Sequence, residues 1–239
     1  MRKLIFLCFI MIGIMSAQAK TLVLYYSYTN NVNRIVIELT HQIKADVIRV
    51  EPAKKGLDYA ANNYAIGSEL ISAIRNNPDD AASYPEIDPV DVDMADYNCI
   101  IIGAPLWWSN MAAPLQTSLF LHGKEMAGKK IGLIVSSASS GISGVESDAR
   151  RLIPNGDFLS PSLWIRSSQT SNASALIEQW LRDIKYSDIT GIAGVLPDME
   201  QSYTVYDING RCLANNAVSI PQLSEGLYIV NSKKIYISR

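Results

Sequence analysis

The chain has little with which to build a covalent or metal-held scaffold. Its three cysteines, Cys8, Cys99 and Cys212, are too few and too scattered for a disulfide framework or a C-x-x-C site. With two histidines among 239 residues, no metal-binding set is expected either. Charge is sparse: 18% of residues are charged, 21 basic against 23 acidic, for a net charge of -2. No run of Lys and Arg supplies the basic stripe that a phosphate backbone requires, so nucleic acid is not an expected partner. The G-x-S-x-G elbow is missing, and neither His41 nor His122 adjoins a serine in such a turn, which sets a hydrolase aside. G-x-G-x-x-G is missing too, which disfavours a dinucleotide-binding domain. What is plentiful is apolar material, 48% of residues, with 14 glycines, enough for one ordinary globular domain and a small appendage held together by burial alone.

The first 19 residues stand apart. Arg2 and Lys3 precede an unbroken apolar stretch from Leu4 to Met15, and Ala17-Gln18-Ala19 places small residues where a signal peptidase inspects the chain. A membrane anchor needs about 20 apolar residues, and Leu4 to Met15 falls short of that. Residues 1–19 are therefore expected to be a cleaved signal peptide, with no stable membrane span after cleavage. Loss of Arg2 and Lys3 takes the basic residues to 19 against 23 acidic ones, a net charge near -4. The expectation is an exported protein of the periplasm or cell surface.

From Thr21 onward, short runs rich in branched residues alternate with longer segments of helical spacing, the pattern of βαβ units around a parallel sheet. Five strands are predicted, over Thr21 to Ser27, Asp46 to Glu51, Asn98 to Gly103, Lys130 to Ser136 and Leu159 to Ile165. The first, third and fourth are apolar on both faces, as covered central strands must be, and the second alternates like an edge. Helical spacing recurs at Val32, Ile35, Val36 and Leu39, at Ile66, Leu70, Ile71 and Ile74, at Leu115 and Leu119, and from Ala173 to Leu181. Asn76 to Tyr97, with Pro78, Pro85 and Pro89 and little periodicity, reads as a long surface loop. Near residue 200 the texture becomes glycine-punctuated alternation, with Asn209-Gly210 as a hairpin signal and Asn231-Ser232 as a weaker one. The expected organisation is an α/β domain over 20–186, a doubly wound five-stranded parallel sheet, followed by a small β module over 200–239.

Three segments at the C-terminal ends of strands carry the chemistry. The first strand runs through Ser27-Tyr28-Thr29-Asn30-Asn31-Val32 directly into a helix. Hydroxyls, amides, unpaired N-H groups and the positive end of the helix dipole suit a phosphate dianion there; a simple N-cap is the equal alternative. After the third strand comes Gly103 to Pro114, with Pro105-Leu106-Trp107-Trp108 at its centre. Adjacent residues of an extended segment cannot both point inward, so one tryptophan is free to cover a flat ring. After the fourth strand, Ser136 to Gly144 is a small-residue loop holding Ser137, Ala138, Ser139, Ser140 and Gly141, through which backbone N-H groups can approach a ligand. Cys99 falls within a predicted strand, where an inert buried thiol is the ordinary case. No residue is nominated as acid, base, nucleophile or metal ligand.

Ser27 to Val32 resembles the T/S-x-T-G-N-T phosphate loop of flavodoxins, with Ser27, Thr29 and Asn31 matching and Asn30 and Val32 departing. Asn in place of glycine is tolerable because it adopts left-handed conformations readily. Ser136 to Gly141 resembles the T-S-G-G-S-G loop of the short, tryptophan-bearing flavodoxin-like family, with Ala138 and Ser139 where glycines are usual. The resemblance covers about residues 21 to 185 and implies strand order 2-1-3-4-5 and FMN held noncovalently by the three loops. It further implies electron transfer to a redox partner protein, or reduction of a small-molecule acceptor such as a quinone. The competing reading is a non-enzymatic exported binding protein that keeps the fold and has lost FMN. Tyr203 to Arg239 is similar to the C-terminal sorting module of the type IX secretion pathway, which implies contact with secretion machinery; a small β extension packed on the domain is the plainer alternative.

Overall fold

The structure, a computed structural model, describes residues 19–190, 203–207, 210–217, 226–230 and 233–237. The predicted leader up to residue 18, and the turn residues Asn209, Asn231 and Ser232, lie outside that set. The described domain is built from β1 (Thr21–Tyr25), α1 (Asn31–Thr40), β2 (Asp46–Arg49), α2 (Ala61–Asn76), β3 (Cys99–Trp107), β4 (Asn110–Met111) and α3 (Ala113–His122). It continues through β5 (Lys130–Ser137), α4 (Ser143–Leu152), β6 (Asp157–Phe158), β7 (Leu163–Arg166), α5 (Ala173–Asp183) and α6 (Tyr186–Thr190). Parallel pairing runs β2-β1-β3-β5 and then to β6 and β7, the expected order 2-1-3-4-5 with its last strand in two pieces.

The sheet separates two apolar layers because strand side chains alternate. Leu22, Leu24, Ile100 and Ile102 point toward α2, α3 and α4, whereas Val23, Tyr25, Cys99 and Ile101 meet α1 and α5. In α1, Val32, Ile35, Val36 and Leu39 form the buried stripe that the spacing predicts. In α5 the large buried anchor is Trp180, whose Nε1 donates to the Pro161 carbonyl at 2.8 Å. Pro114 opens α3, where a missing N-H costs nothing. The helix is buried along Ala113 to Leu119 without a polar stripe.

Four expectations are corrected. The fifth strand is interrupted: Pro161 cannot donate to a ladder, and β6 ends before it while β7 begins after it. The third strand runs on to Trp107, so the presumed loop after Gly103 is mostly strand and hairpin. The stretch Asn76 to Tyr97 is anchored, not merely superficial. Asp80 and Asp93 cap two short 3-10 turns by accepting from the N-H groups of Ala82 and Ala95, and Tyr84 and Met94 are buried. Finally, α4 was not foreseen: its buried face is Val145, Asp148, Ala149 and Leu152, and a carboxylate in that stripe hides its period.

Beyond residue 202, β8 (Tyr203–Asp207), β9 (Cys212–Ala217), β10 (Gly226–Val230) and β11 (Lys233–Ile237) form a separate antiparallel sheet in the order β11-β10-β8-β9. Gly210 has φ 79° and its N-H donates to the Asp207 carbonyl between β8 and β9; Asn209, the other half of the predicted hairpin signal, lies outside the described residues. Among the described residues no helix is long and apolar enough to cross a membrane.

Candidate functional site

The C-terminal ends of β1, β3 and β5 converge where the chain order reverses between β1 and β3, the place at which doubly wound sheets leave a crevice. Ser27 leaves β1 and its Oγ accepts the N-H of Asn33 at 3.2 Å, a cap on the third residue of α1. Asn30 stands at φ 67°, ψ 0°, the left-handed conformation for which Asn is the best substitute for glycine. Asn31 Nδ2 donates to Thr29 Oγ1 at 3.2 Å, which folds the turn over the helix start. The first-turn N-H groups of α1 have no partners within the helix and carry the positive end of its dipole. From behind, Arg49 donates to the Ser27 carbonyl at 3.0 Å and pairs with Glu51 at 2.8 Å. Tyr28 donates to Asp58 Oδ1 at 2.7 Å, and this bond, with the N-H of Ala60, holds the Asp58 carboxyl below its ordinary pKa.

The two tryptophans separate as their adjacency requires. Trp107 ends β3 half-buried and lies among Tyr26, Tyr28 and Tyr59, at ring-centroid distances of 5.8, 6.4 and 4.9 Å. Trp108 and Ser109 form the two-residue turn into β4, with φ 46° and 64°, and Trp107 pairs with Asn110 across it. Positive φ at both central residues is what a tight hairpin demands and what a tryptophan supplies poorly. The Trp108 indole is 41% exposed and rests on Gly67 of α2, where a Cβ would lie 2.8 Å from Cζ3. A side chain at residue 67 would occupy the place of that ring.

The third loop is tied down at its base. Ser137 donates to the Ser140 carbonyl at 2.9 Å and accepts from Trp164 Nε1 at 2.8 Å, while Ser167 donates to the Ser137 carbonyl at 3.3 Å. Ala138 to Gly141 are exposed.

These pieces enclose a cavity of about 480 Å³, in the size range of small-molecule and cofactor sites. Of the residues expected from the sequence, Ser27, Tyr28, Thr29, Asn31, Val32, Pro105, Leu106, Trp107, Trp108, Ser137 and Ala138 line it. Asn30, Ser139, Ser140 and Gly141 do not: Asn30 shapes the turn, and the other three lie on the exposed outer part of the third loop. Sequence reasoning missed Tyr59, Asn63, Tyr64, Gly67 and Ser167, and named Ser136 only as the start of the third loop, not as a site residue. Most of these belong to the entry of α2, where Asn62, Asn63 and Tyr64 all have left-handed backbone, φ 50°, 55° and 63°. The paired asparagines were the available signal, since Asn tolerates that region. Tyr59 is 4% exposed, and among the described residues its hydroxyl has no hydrogen-bond partner. None of the described residues lining the cavity carries a formal charge.

A family model for flavodoxin matches residues 20–184. A solved protein from Bacteroides uniformis ATCC 8492 is 24% identical, covering 70% of this chain and 99% of its own, with a TM-score of 0.53. One from Bacteroides eggerthii DSM 20697 is 21% identical over 73% of this chain and 99% of its own, TM-score 0.55. A flavoprotein solved in complex with FMN, from Lactobacillus acidophilus NCFM, is 23% identical over 66% and 99%, TM-score 0.51. At these identities the structural matches speak for the fold.

Proposed function

The chain belongs to the flavodoxin family, and from that premise we propose that its cavity binds FMN and that the protein carries electrons or reduces small acceptors. The observation that carries this reading is the convergence of the helix-capping loop, the tryptophan hairpin and the serine loop on one uncharged, aromatic-walled cavity of about 480 Å³. The residues present fit the group. The buried Tyr59 hydroxyl lacks a partner among the described residues and belongs to a residue that borders the cavity, as expected of a group meant to meet a ligand. The polar cluster at the start of α1 offers donors for a phosphate.

In this reading the hydroxyls of Ser27 and Thr29, the Asn31 amide and the first-turn N-H groups of α1 hold the phosphate. Ser27 Oγ already accepts from Asn33, which leaves its proton free to donate outward. Trp108 covers one part of the ring system, and Trp107, fixed by three tyrosines, forms the inner wall. Ser136, Ser137 and Ala138 present backbone to the ring edge. Bound FMN supplies the one- and two-electron redox chemistry, while the protein orients it and shields it from water. The leader-like first 19 residues support export to the periplasm or cell surface, and the tail pattern supports a sorting role for the second sheet.

The test is the absorption spectrum of the purified chain after incubation with FMN and removal of excess. Retained flavin with quenched fluorescence is expected, because an indole against the ring opens a non-radiative route. Riboflavin should bind about 10- to 100-fold more weakly, the size of losing charge-assisted hydrogen bonds. FMN that stays fully fluorescent and dialyses away would leave a flavin-free binding protein on the same fold.

A further inference from the structure

The helix that sequence reasoning missed touches the tryptophan hairpin at two points. Asp148 of α4 is 7% exposed, and its Oδ2 accepts two hydrogen bonds from the hairpin's return strand, from Asn110 Nδ2 at 3.0 Å and from the Met111 N-H at 2.9 Å. One turn earlier, Gly144 lies against the Ser109 carbonyl so closely that a Cβ there would fall 1.8 Å from the oxygen. Arg151 completes the bracket. It lies 3.4 Å from Asp148 Oδ1 and donates to Gln116 Oε1 at 2.8 Å, and Gln116 in turn donates to the Met111 carbonyl at 2.7 Å. Both the N-H and the C=O of Met111 are thus held from outside the hairpin.

That bracket sits behind two non-glycine residues with left-handed backbone, Trp108 and Ser109. Such conformations persist where the surroundings over-determine them, and they cluster at ligand clamps. A short two-stranded hairpin does not hold a strained turn by itself. A buried carboxylate on an otherwise apolar helix stripe is also costly unless its bonds are needed.

We propose that Asp148 is a positioning residue for the flavin site: by fixing Asn110 and Met111 it holds the Trp108 turn in the one geometry that lays the indole against the cavity. The carboxylate touches no ligand; it acts through the turn. The affinity arm of the test rests on the flavin reading, and the spectroscopic arm does not.

The test is a double-mutant cycle of Asp148→Asn with Trp108→Ala, read by FMN affinity and flavin fluorescence. Asparagine keeps the shape but has only one acceptor oxygen and no charge: with that oxygen on the two hairpin donors its amide faces the Arg151 guanidinium, donor against donor, and turned the other way it leaves both hairpin donors unbonded. Asp148→Asn alone should weaken FMN about tenfold, the size of one lost hydrogen bond to a charged acceptor, and restore part of the flavin fluorescence. On the Trp108→Ala background it should change neither, because the residue it positions is gone. Additive losses, or unchanged affinity in the single variant, overturn the proposal. Should Asp148→Asn not fold, Asn110→Ala removes one of the two hairpin donors and enters the same cycle. For flavin-free protein labelled with 5-fluorotryptophan, Asp148→Asn should shift or broaden the ¹⁹F resonance of Trp108 while those of Trp164 and Trp180 stay in place. Four unchanged resonances refute the positioning role even if FMN does not bind.

Discussion

Replacing Gly144 by alanine sets two effects of opposite sign against each other. Helix propensity alone favours the substitution by up to about 1 kcal/mol, since glycine in a helix retains the most freedom to lose. The geometry opposes it: the new Cβ would lie 1.8 Å from the Ser109 carbonyl oxygen and 3.0 Å from its carbon. The obstacle is backbone, and it belongs to a turn held by Asp148, so no side chain can rotate away. Overpacking typically costs about 1–3 kcal/mol, and a contact this short against fixed backbone belongs at the upper end. The net expectation is destabilisation by roughly 2 kcal/mol, which for a domain of this size lowers Tm by about 4–8 °C. Thermal unfolding followed by far-UV circular dichroism, with FMN affinity measured on the same samples, checks it. A Tm equal to or above that of the parent, with FMN affinity unchanged, would show that α4 and the hairpin are not packed as described.

The two tryptophans should part company on substitution: Trp107→Ala costs roughly 2 kcal/mol of stability for a half-buried indole, read by urea unfolding. Trp108→Ala instead costs about 1–3 kcal/mol of FMN affinity by analogy with base-on-aromatic stacking; equal losses of both kinds in both variants would count against the division. Tyr186 is fully buried, with its hydroxyl 2.6 Å from Thr21 Oγ1, so a chain ending at Thr190 should fold and bind FMN, whereas one ending at Ile184 loses roughly 3–5 kcal/mol. In the native host the Thr190 truncation should also change cell fractionation, and unchanged fractionation removes the sorting role. Burial pushes the Cys99 thiol from 9.0 and the Tyr186 phenol from 10.0 up to about 12, so the unfolded chain releases these protons first. Their stabilising contribution is complete below pH 9.0 and is lost as pH climbs toward about 12; a urea midpoint that does not fall between pH 9 and 11 refutes the burial of these groups.

The sequence by itself determined the frame of this protein. Runs such as Cys99 to Ile102, apolar on successive residues, rich in branched side chains and bounded by turn signals, read as strands covered on both faces, and Val32, Ile35, Val36 and Leu39 read as one helical face; both are buried as the patterns require. The separation of Trp107 from Trp108, and left-handed backbone at Asn30, followed from local stereochemistry, which no distant contact needs to supply. Tertiary structure decided the rest. The cavity wall made by Tyr59, Tyr64 and Gly67 depends on how the entry of α2 docks against the hairpin, a contact between segments about 40 residues apart that leaves no periodic trace. The outer part of the serine loop, from Ser139 to Gly141, matches the family motif at Ser140 and Gly141 yet does not line the cavity, because Ser137 is bound to Trp164 and to the Ser140 carbonyl and folds the loop back on its own base. The helix α4 was illegible because its buried stripe carries Asp148, and a carboxylate reads as surface until the two donors that bury it are brought to it from another strand.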